Sequence, residues 1–315
     1  MPDMTIGGRI GLGLAALGRP AYINLGRVGA LPEGRGVEAM RTFTHDVLDA
    51  AYAAGIRWVD TARSYGLAEE FLAGWLRDRG HADVTVSSKW GYAYVGDWRL
   101  DADQHEAKEH SLARFSTQWS ETQGLLGSGV SLYQVHSLTS DSPLFADHAL
   151  LAALAELAAS GVRTGFSTSG PRQHEAIERG LALEVSGQRV FTAVQSTWNA
   201  LEPSAGAALD QARAAGNLVL LKETLANGRL AVDAPELLVE LAGDRGVTPD
   251  AIAVAVALAQ PWADGVLLGP SGAGQLSSNL LASTVDIGDE DLARVAELAE
   301  PPEEYWNRRS ALRWV

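Results

Sequence analysis

The chain has 315 residues, 46% of them hydrophobic, with a formal net charge of -14, which is enough for one α/β barrel or two smaller domains and repels a polyanion, excluding nucleic acid. It has no cysteine, so disulfides, thiolate metal sites and thiol nucleophiles are excluded as well. The start, Met1-Pro2-Asp3-Met4, has no basic stretch followed by an apolar one, and the longest apolar run, 251–259, falls far short of the ~20 residues of a membrane span, so a cytoplasmic protein without a membrane partner is expected.

Along the chain, short apolar runs alternate with amphipathic stretches. Strands are predicted over 10–15, 57–60, 84–89, 131–136, 164–168, 191–197, 218–222 and 265–268. Between them, Met40, Phe43, Val47 and Ala51 recur at helical spacing, as do Leu67, Phe71 and Trp75, and Leu112, Phe115 and Trp119. Gly55, Gly80, Gly161 and Gly216 read as helix ends ahead of the next strand.

Repeated strand–helix units impose parallel strands joined by right-handed crossovers. Eight of them predict a closed (β/α)8 TIM barrel, and no linker, repeat or low-complexity tract divides residues 1–315, so one domain is expected. Three segments exceed what a plain barrel needs: 19–35, 90–104 and the tail 301–315. The last two are rich in aromatics, with Trp90, Tyr92, Tyr94 and Trp98 in one and Trp306 and Trp314 in the other. Long loops and a tail at the C-terminal mouth would set these aromatics around an apolar substrate pocket, with Trp90, Tyr92, Trp98 and Trp306 as its substrate-binding residues.

Four polar residues stand at or just past predicted strand ends, where an α/β barrel keeps its catalytic groups: Asp60, Tyr65, Lys89 and His136. Tyrosine titrates near ~10 and is a poor base at neutral pH. A nearby lysine ammonium would lower that value, an aspartate paired to the lysine would keep it charged, and a histidine could donate to a substrate oxygen. Singly, Asp60, Lys89 and His136 have plain structural readings, as a helix cap, a strand-end lysine and a core histidine. Together they form a set able to move a proton to or from a carbonyl oxygen. The seven histidines show no two-ligand spacing beside a strand-end carboxylate, so no metal site is expected.

The run Gly55-Ile56-Arg57-Trp58-Val59-Asp60-Thr61-Ala62-Arg63-Ser64-Tyr65-Gly66, with Glu69 and Glu70 downstream, resembles the Gly-x-Arg-x-x-Asp-Thr-Ala-x-x-Tyr-Gly signature of the aldo-keto reductases. Ser88-Lys89, Tyr133-Gln134-Val135-His136, Gly165-Phe166-Ser167-Thr168, Gln195-Ser196-Thr197-Trp198-Asn199 and Leu268-Gly269-Pro270 with Gln275, Leu276 and Asn279 follow in family order. The opening Gly11-Leu12-Gly13-Leu14 is closer to the branch with aldose and fucose dehydrogenases.

The resemblance implies a nicotinamide-dependent oxidoreductase interconverting a small-molecule aldehyde, ketone or sugar with an alcohol. Tyr65 would be the general acid or base, Lys89 and Asp60 its tuning pair, and His136 the group that orients the carbonyl. Ser167, Thr168 and Gln195 stand where the family holds the nicotinamide carboxamide, with Thr168 replacing the usual asparagine. Gly269, Ser271, Gln275 and Asn279 fall where it binds the adenosine end, with a helix start near Gly274. Lys222 occupies the position of an aromatic that stacks on the nicotinamide in many members, and Trp198 is a weaker substitute. Family habit favours NADP(H) over NAD(H), although 271–274 carries no basic residue. A cofactor-binding regulatory or sensor protein on the same barrel is the alternative. Substrate, direction of reaction and oligomeric state leave no mark in the sequence.

Overall fold

In the structure, a computed structural model, residues 6–26 and 28–315 are described. Eight parallel strands close on one another: β1 (Ile10–Gly13), β2 (Trp58–Asp60), β3 (Thr85–Trp90), β4 (Val130–Leu138), β5 (Arg163–Thr168), β6 (Ala193–Thr197), β7 (Leu218–Lys222) and β8 (Gly265–Leu268). Each pairs with its neighbours in the chain, and β1 closes the ring against β8, Leu12 facing Leu268. Val219, Leu220 and Leu221 are wholly buried. Strands covered on both faces read as unbroken apolar runs, which is why the barrel is visible in the sequence.

The helices form the outer layer, numbered in chain order, with α4 (His148–Ala159), α5 (Gln173–Leu181), α6 (Gly206–Ala214), α7 (Glu236–Arg245) and α10 (Asp289–Ala296) among them. In α1 (Val37–Ala53), Met40, Val47 and Ala51 turn inward; in α2 (Ala68–Arg79), Phe71 and Trp75 do so; in α3 (Leu112–Leu126), Phe115 does. Gly80 ends α2 at φ +69°, a left-handed conformation that glycine adopts without strain. Among the described residues no helix is long and apolar enough to cross a membrane. The longest apolar run lies in α8 (Pro249–Leu258), whose residues from Asp250 to Leu258 are all buried.

Strand ends depart from the predicted bounds where neighbours decide them. β1 stops at Gly13, while β4 extends past His136 to Leu138. Between Val135 and Leu138 the register with β5 shifts, so His136 and Ser137 together oppose Ser167, and Ser137 takes φ +53°. This is a β-bulge, which re-aims the side chain beside it.

Segment 90–104 begins with the last residue of β3 and carries one arm of a hairpin, Tyr92–Tyr94, which pairs antiparallel with Glu106–Lys108 just beyond the segment. The loop after β1 and the tail beyond α11 (Pro302–Ser310) meet over the mouth, where Tyr22 and Val315 exchange both backbone hydrogen bonds at 3.1 Å. Leu25 N–H donates to the Asn227 carbonyl at 2.9 Å, tying the same loop to the segment after β7.

Candidate active site

Asp60 ends β2, Lys89 is the penultimate residue of β3, and His136 sits at the bulge of β4, three adjacent staves of the barrel. Tyr65 follows β2 in a loop held by Leu67 N–H donating to the Gly18 carbonyl. Lys89 Nζ pairs with Asp60 Oδ2 and donates to the Thr61 carbonyl at 3.0 Å. The ammonium lies 5.1 Å from the Tyr65 ring centre, and the Tyr65 and His136 rings meet edge to face at 5.5 Å. All four predicted residues are thus together.

Asp60 is anchored further. Its Oδ1 accepts from Ser87 Oγ at 2.7 Å, Gln195 Nε2 at 3.2 Å and Gln134 Nε2 at 3.4 Å. His136 Nδ1 faces Ser64 Oγ at 3.3 Å, which leaves Nε2 for the cavity. The His136 carbonyl accepts from His110 Nε2 at 2.9 Å, and His110 Nδ1 meets Ser142 Oγ at 2.8 Å, so a second, buried histidine pins the bulge.

The electrostatics correct one expectation. Burial, and after it the Asp60 carboxylate, holds the Tyr65 phenol well above its ordinary pKa, and the Arg19 guanidinium opposes this without reversing it. The lysine does not turn the phenol into a phenolate, because its charge is met by Asp60. Burial also drives His136 well below its usual value, helped by Lys89, Lys222 and Arg19. At neutral pH the pair is a protonated phenol beside a neutral imidazole.

These groups open onto a cavity of about 570 Å³ whose wall includes Asp60, Tyr65, Tyr92, His136, Gln195, Lys222, Gly269, Gln275 and Asn279. Other predicted residues lie elsewhere. Trp90 is fully buried, packed edge-on against Phe115 and His110. Trp98 donates from Nε1 to the Arg35 carbonyl and packs on Phe71. Trp306 is buried beside Tyr305, with its Nε1 3.5 Å from Glu202. Each is spent on holding a loop or the tail against the barrel, so Tyr92 alone of the four expected aromatics faces the cavity. Trp198 is buried against Trp262.

Ser167 and Thr168 are likewise off the cavity wall. Ser167 Oγ accepts the Ser137 N–H, and Thr168 Oγ1 is engaged with Gln173 and Ser196. Ser169, one residue on, reaches the wall instead. Ser271 is buried, its N–H donating to Gln275 Oε1 at 2.7 Å. The helix it precedes, α9 (Ala273–Leu280), starts close to the predicted Gly274.

The wall also includes residues that carried no signal of spacing. Arg19, Tyr22, Asn24 and Leu25 arrive on the loop after β1, Glu106 on the hairpin, and Arg309 and Trp314 from the C-terminus. Arg19 pairs with Glu106 at 2.7 Å and lies over the rings of Tyr22, Tyr65 and Trp314. Arg309 clamps Glu223 through two nitrogens, at 2.7 and 2.6 Å, and Lys222 Nζ bonds Thr197 Oγ1 at 2.7 Å. Burial lowers Lys222 to about 8, Glu223 opposing. For Glu223 burial pushes upward, but Arg309 and Lys222 outweigh it and hold the carboxyl at about 2.

The residues present fit a nicotinamide dinucleotide. The cavity joins the proton-transfer set to the β8–α9 segment, and at that far end Asn279, 2% exposed, keeps a buried Oδ1 with no partner among the described residues. Among the described residues no cluster of histidine and carboxylates could hold a metal ion.

Residues 9–300 match the model of the aldo/keto reductase family. A comparison with curated protein sequences finds no match. Among solved structures, an aldo-keto reductase from Bacillus halodurans in its holo form is 20% identical over 93% of this chain and 92% of its own, with a TM-score of 0.67. A protein assigned as 2,5-diketo-D-gluconic acid reductase B is 23% identical over 94% and 89%, at 0.65. One from Pseudomonas aeruginosa, assigned as an aldo-keto reductase, is 22% identical over 88% and 90%, at 0.63. These likenesses are of fold, and the family match covers most of the chain. The chain belongs to the aldo/keto reductase family of oxidoreductases.

Proposed function

We propose that the protein is a nicotinamide-dependent carbonyl reductase or alcohol dehydrogenase of the cytoplasm, preferring NADP(H) to NAD(H) and acting on a small polar carbonyl compound or its alcohol. The observation that carries this reading is the Tyr65 phenol set edge to face against His136, 5.1 Å from the Lys89 ammonium of the Lys89–Asp60 pair and facing the cavity.

When bound, the nicotinamide supplies or accepts the hydride. The chain's own residues handle the oxygen. In the reducing direction Tyr65 gives its proton to the carbonyl oxygen as the alkoxide develops, and His136 donates to the same oxygen from Nε2. The phenolate that remains is stabilised by the Lys89 ammonium and then regains a proton from solvent. Oxidation of the alcohol needs Tyr65 deprotonated beforehand, so its rate rises toward alkaline pH while reduction is favoured near neutrality.

Gln195, Lys222, Gly269, Gln275 and Asn279 would hold the cofactor, with the hydroxyl of Ser169 added to the set. Tyr92 and the Arg19–Glu106 pair would face the substrate. A wall of ion-paired carboxylates and guanidiniums supports a hydroxylated or otherwise polar carbonyl compound over a long apolar one. That agrees with the resemblance of the opening segment to sugar dehydrogenases.

The test has two arms. Titration of tryptophan fluorescence with NADPH and NADH measures binding, using the nine tryptophans. Turnover is then assayed on aldehydes, ketones and sugars. Tyr65→Phe should bind cofactor as the parent does and lose ~100- to 10,000-fold in kcat. Near-normal turnover by that variant would exclude Tyr65 as the proton carrier. Binding with no turnover on any substrate would favour the sensor alternative.

A further inference from the structure

Lys89 and Lys222 both stand at strand ends around the mouth of the barrel, and their charges are met differently. Among the described residues Asp60 forms its ion pair with Lys89 and with no other cation. Lys222 ends β7, and its Nζ donates at 2.7 Å to Oγ1 of Thr197 on the neighbouring strand β6. The carboxylate beside it, Glu223, lies 3.4 Å away and already accepts two shorter bonds from Arg309, at 2.7 and 2.6 Å. One carboxylate thus answers two cations, and among the described residues no second carboxylate pairs with either. Lys222 and Arg309 both line the cavity, where the Lys222 side chain stays 16% exposed. The wall at the end of β7 therefore carries a positive charge in excess, in a molecule whose net charge is -14.

That charge stands near the reacting point. It acts on His136 less than Lys89 does and more than Arg19 does. Burial, opposed by Glu223, lowers Lys222 only to about 8, so the ammonium prevails at pH 7. A nicotinamide that passes hydride to a carbonyl held by Tyr65 and His136 has to lie ~3–3.5 Å from the carbonyl carbon, which sets its ring in the middle of the mouth, within the field of Lys222. Hydride goes to the carbon and the Tyr65 proton to the oxygen. What remains is an alcohol, a phenolate and a nicotinamide changed from a neutral dihydropyridine to a cationic pyridinium. An excess cation on the wall is indifferent to the first form of the ring and repels the second. An aromatic side chain at position 222 would carry no such charge.

We propose that Lys222 is a specificity-determining residue for the oxidation state of the cofactor: its ammonium, left in excess by the Glu223–Arg309 clamp, makes the cavity hold the reduced dinucleotide and release the oxidised one. The inference rests on the cofactor reading above and gives it a direction, since in carbonyl reduction the oxidised form is the one that has to leave.

The experiment measures dissociation constants at pH 7 by tryptophan fluorescence for NADPH, NADP+, NADH and NAD+. The parent protein should bind each oxidised form about tenfold more weakly than its reduced counterpart, the scale of one unit charge several ångströms from another in a partly solvated site. Lys222→Met keeps the length of the side chain and drops its charge, so the ratio should fall to about twofold or less through tighter binding of the oxidised forms. Lys222→Gln should do the same while keeping a donor for Thr197, which guards against one variant folding poorly, and Lys222→Arg should retain the parent ratio. A lysine that served only to hold the phosphates or to pack β7 would weaken both forms alike in Lys222→Met and leave the ratio unchanged; that result overturns the inference. So does a parent protein that binds both forms equally. Failure of the parent to bind any of the four dinucleotides would instead remove the cofactor reading on which the inference stands.

Discussion

At the level of single residues, Lys89 and Asp60 show how closely the site is tied to the stability of the barrel. Both are buried, and the lysine's named partners are Asp60 and the Thr61 carbonyl. Removing one partner leaves a buried charge uncompensated, which typically costs ~3–5 kcal/mol. Lys89→Met should therefore lower the unfolding free energy by that amount. Adding Asp60→Asn should cost less than the sum of the single changes by ~1.5 kcal/mol or more. Strict additivity in urea titrations would mean that the two do not interact. These positions were legible because a charged residue closing an apolar run is conspicuous. Asp250 was not: an acid after a proline reads as a helix-start residue, and its hold on Asn279, 29 positions away, exists only once α8 and α9 are packed.

At the level of elements, the loop carrying Tyr65 is placed by close backbone contact. Gly66 takes φ +64°, and a Cβ there would run into the Gly18 carbonyl oxygen. Gly18 is as confined, since a Cβ on it would collide with the Tyr65 carbonyl and with Ala68. The two glycines let the loops after β1 and β2 touch, and the contact sets the depth of the phenol. Gly66→Ala should destabilise the protein by ~2 kcal/mol or more and also lower kcat, since either loop must yield. An alanine variant with unchanged melting temperature and kcat would show that the contact is slack. The same loops explain what sequence reading missed. Strand runs announce themselves by burial on both faces, whereas Arg19 is buried by Tyr22, Tyr65 and Trp314, residues from three separate segments. The aromatics of 90–104 and 301–315 were visible, but which of them face inward depends on the hairpin and on α11. Trp314, rather than Trp306, reaches the cavity.

For the molecule as a whole, one prediction concerns acid. The net charge of -14 shrinks as pH falls, easing self-repulsion, yet the barrel encloses histidines held neutral. Burial first, and Lys108 next, lowers His110 to about 4. The unfolded chain binds a proton there near its ordinary ~6.5, before the folded state does. The folded pKa is depressed for a base, so the unfolded state carries more protons between ~6.5 and about 4, and stability falls as pH drops through that window. The effect is absent above it. A separation of that size is worth ~3 kcal/mol when fully expressed. His136 shifts the same way, but it is present in both proteins compared and drops out of the difference. Between pH 7 and pH 4.5 the parent should therefore lose ~2 kcal/mol more unfolding free energy than His110→Gln, measured by urea denaturation at each pH. Parallel losses would mean that His110 takes up its proton in the folded barrel as readily as in the open chain. The bulge that aims His136 would then not depend on a neutral His110 donating to the His136 carbonyl.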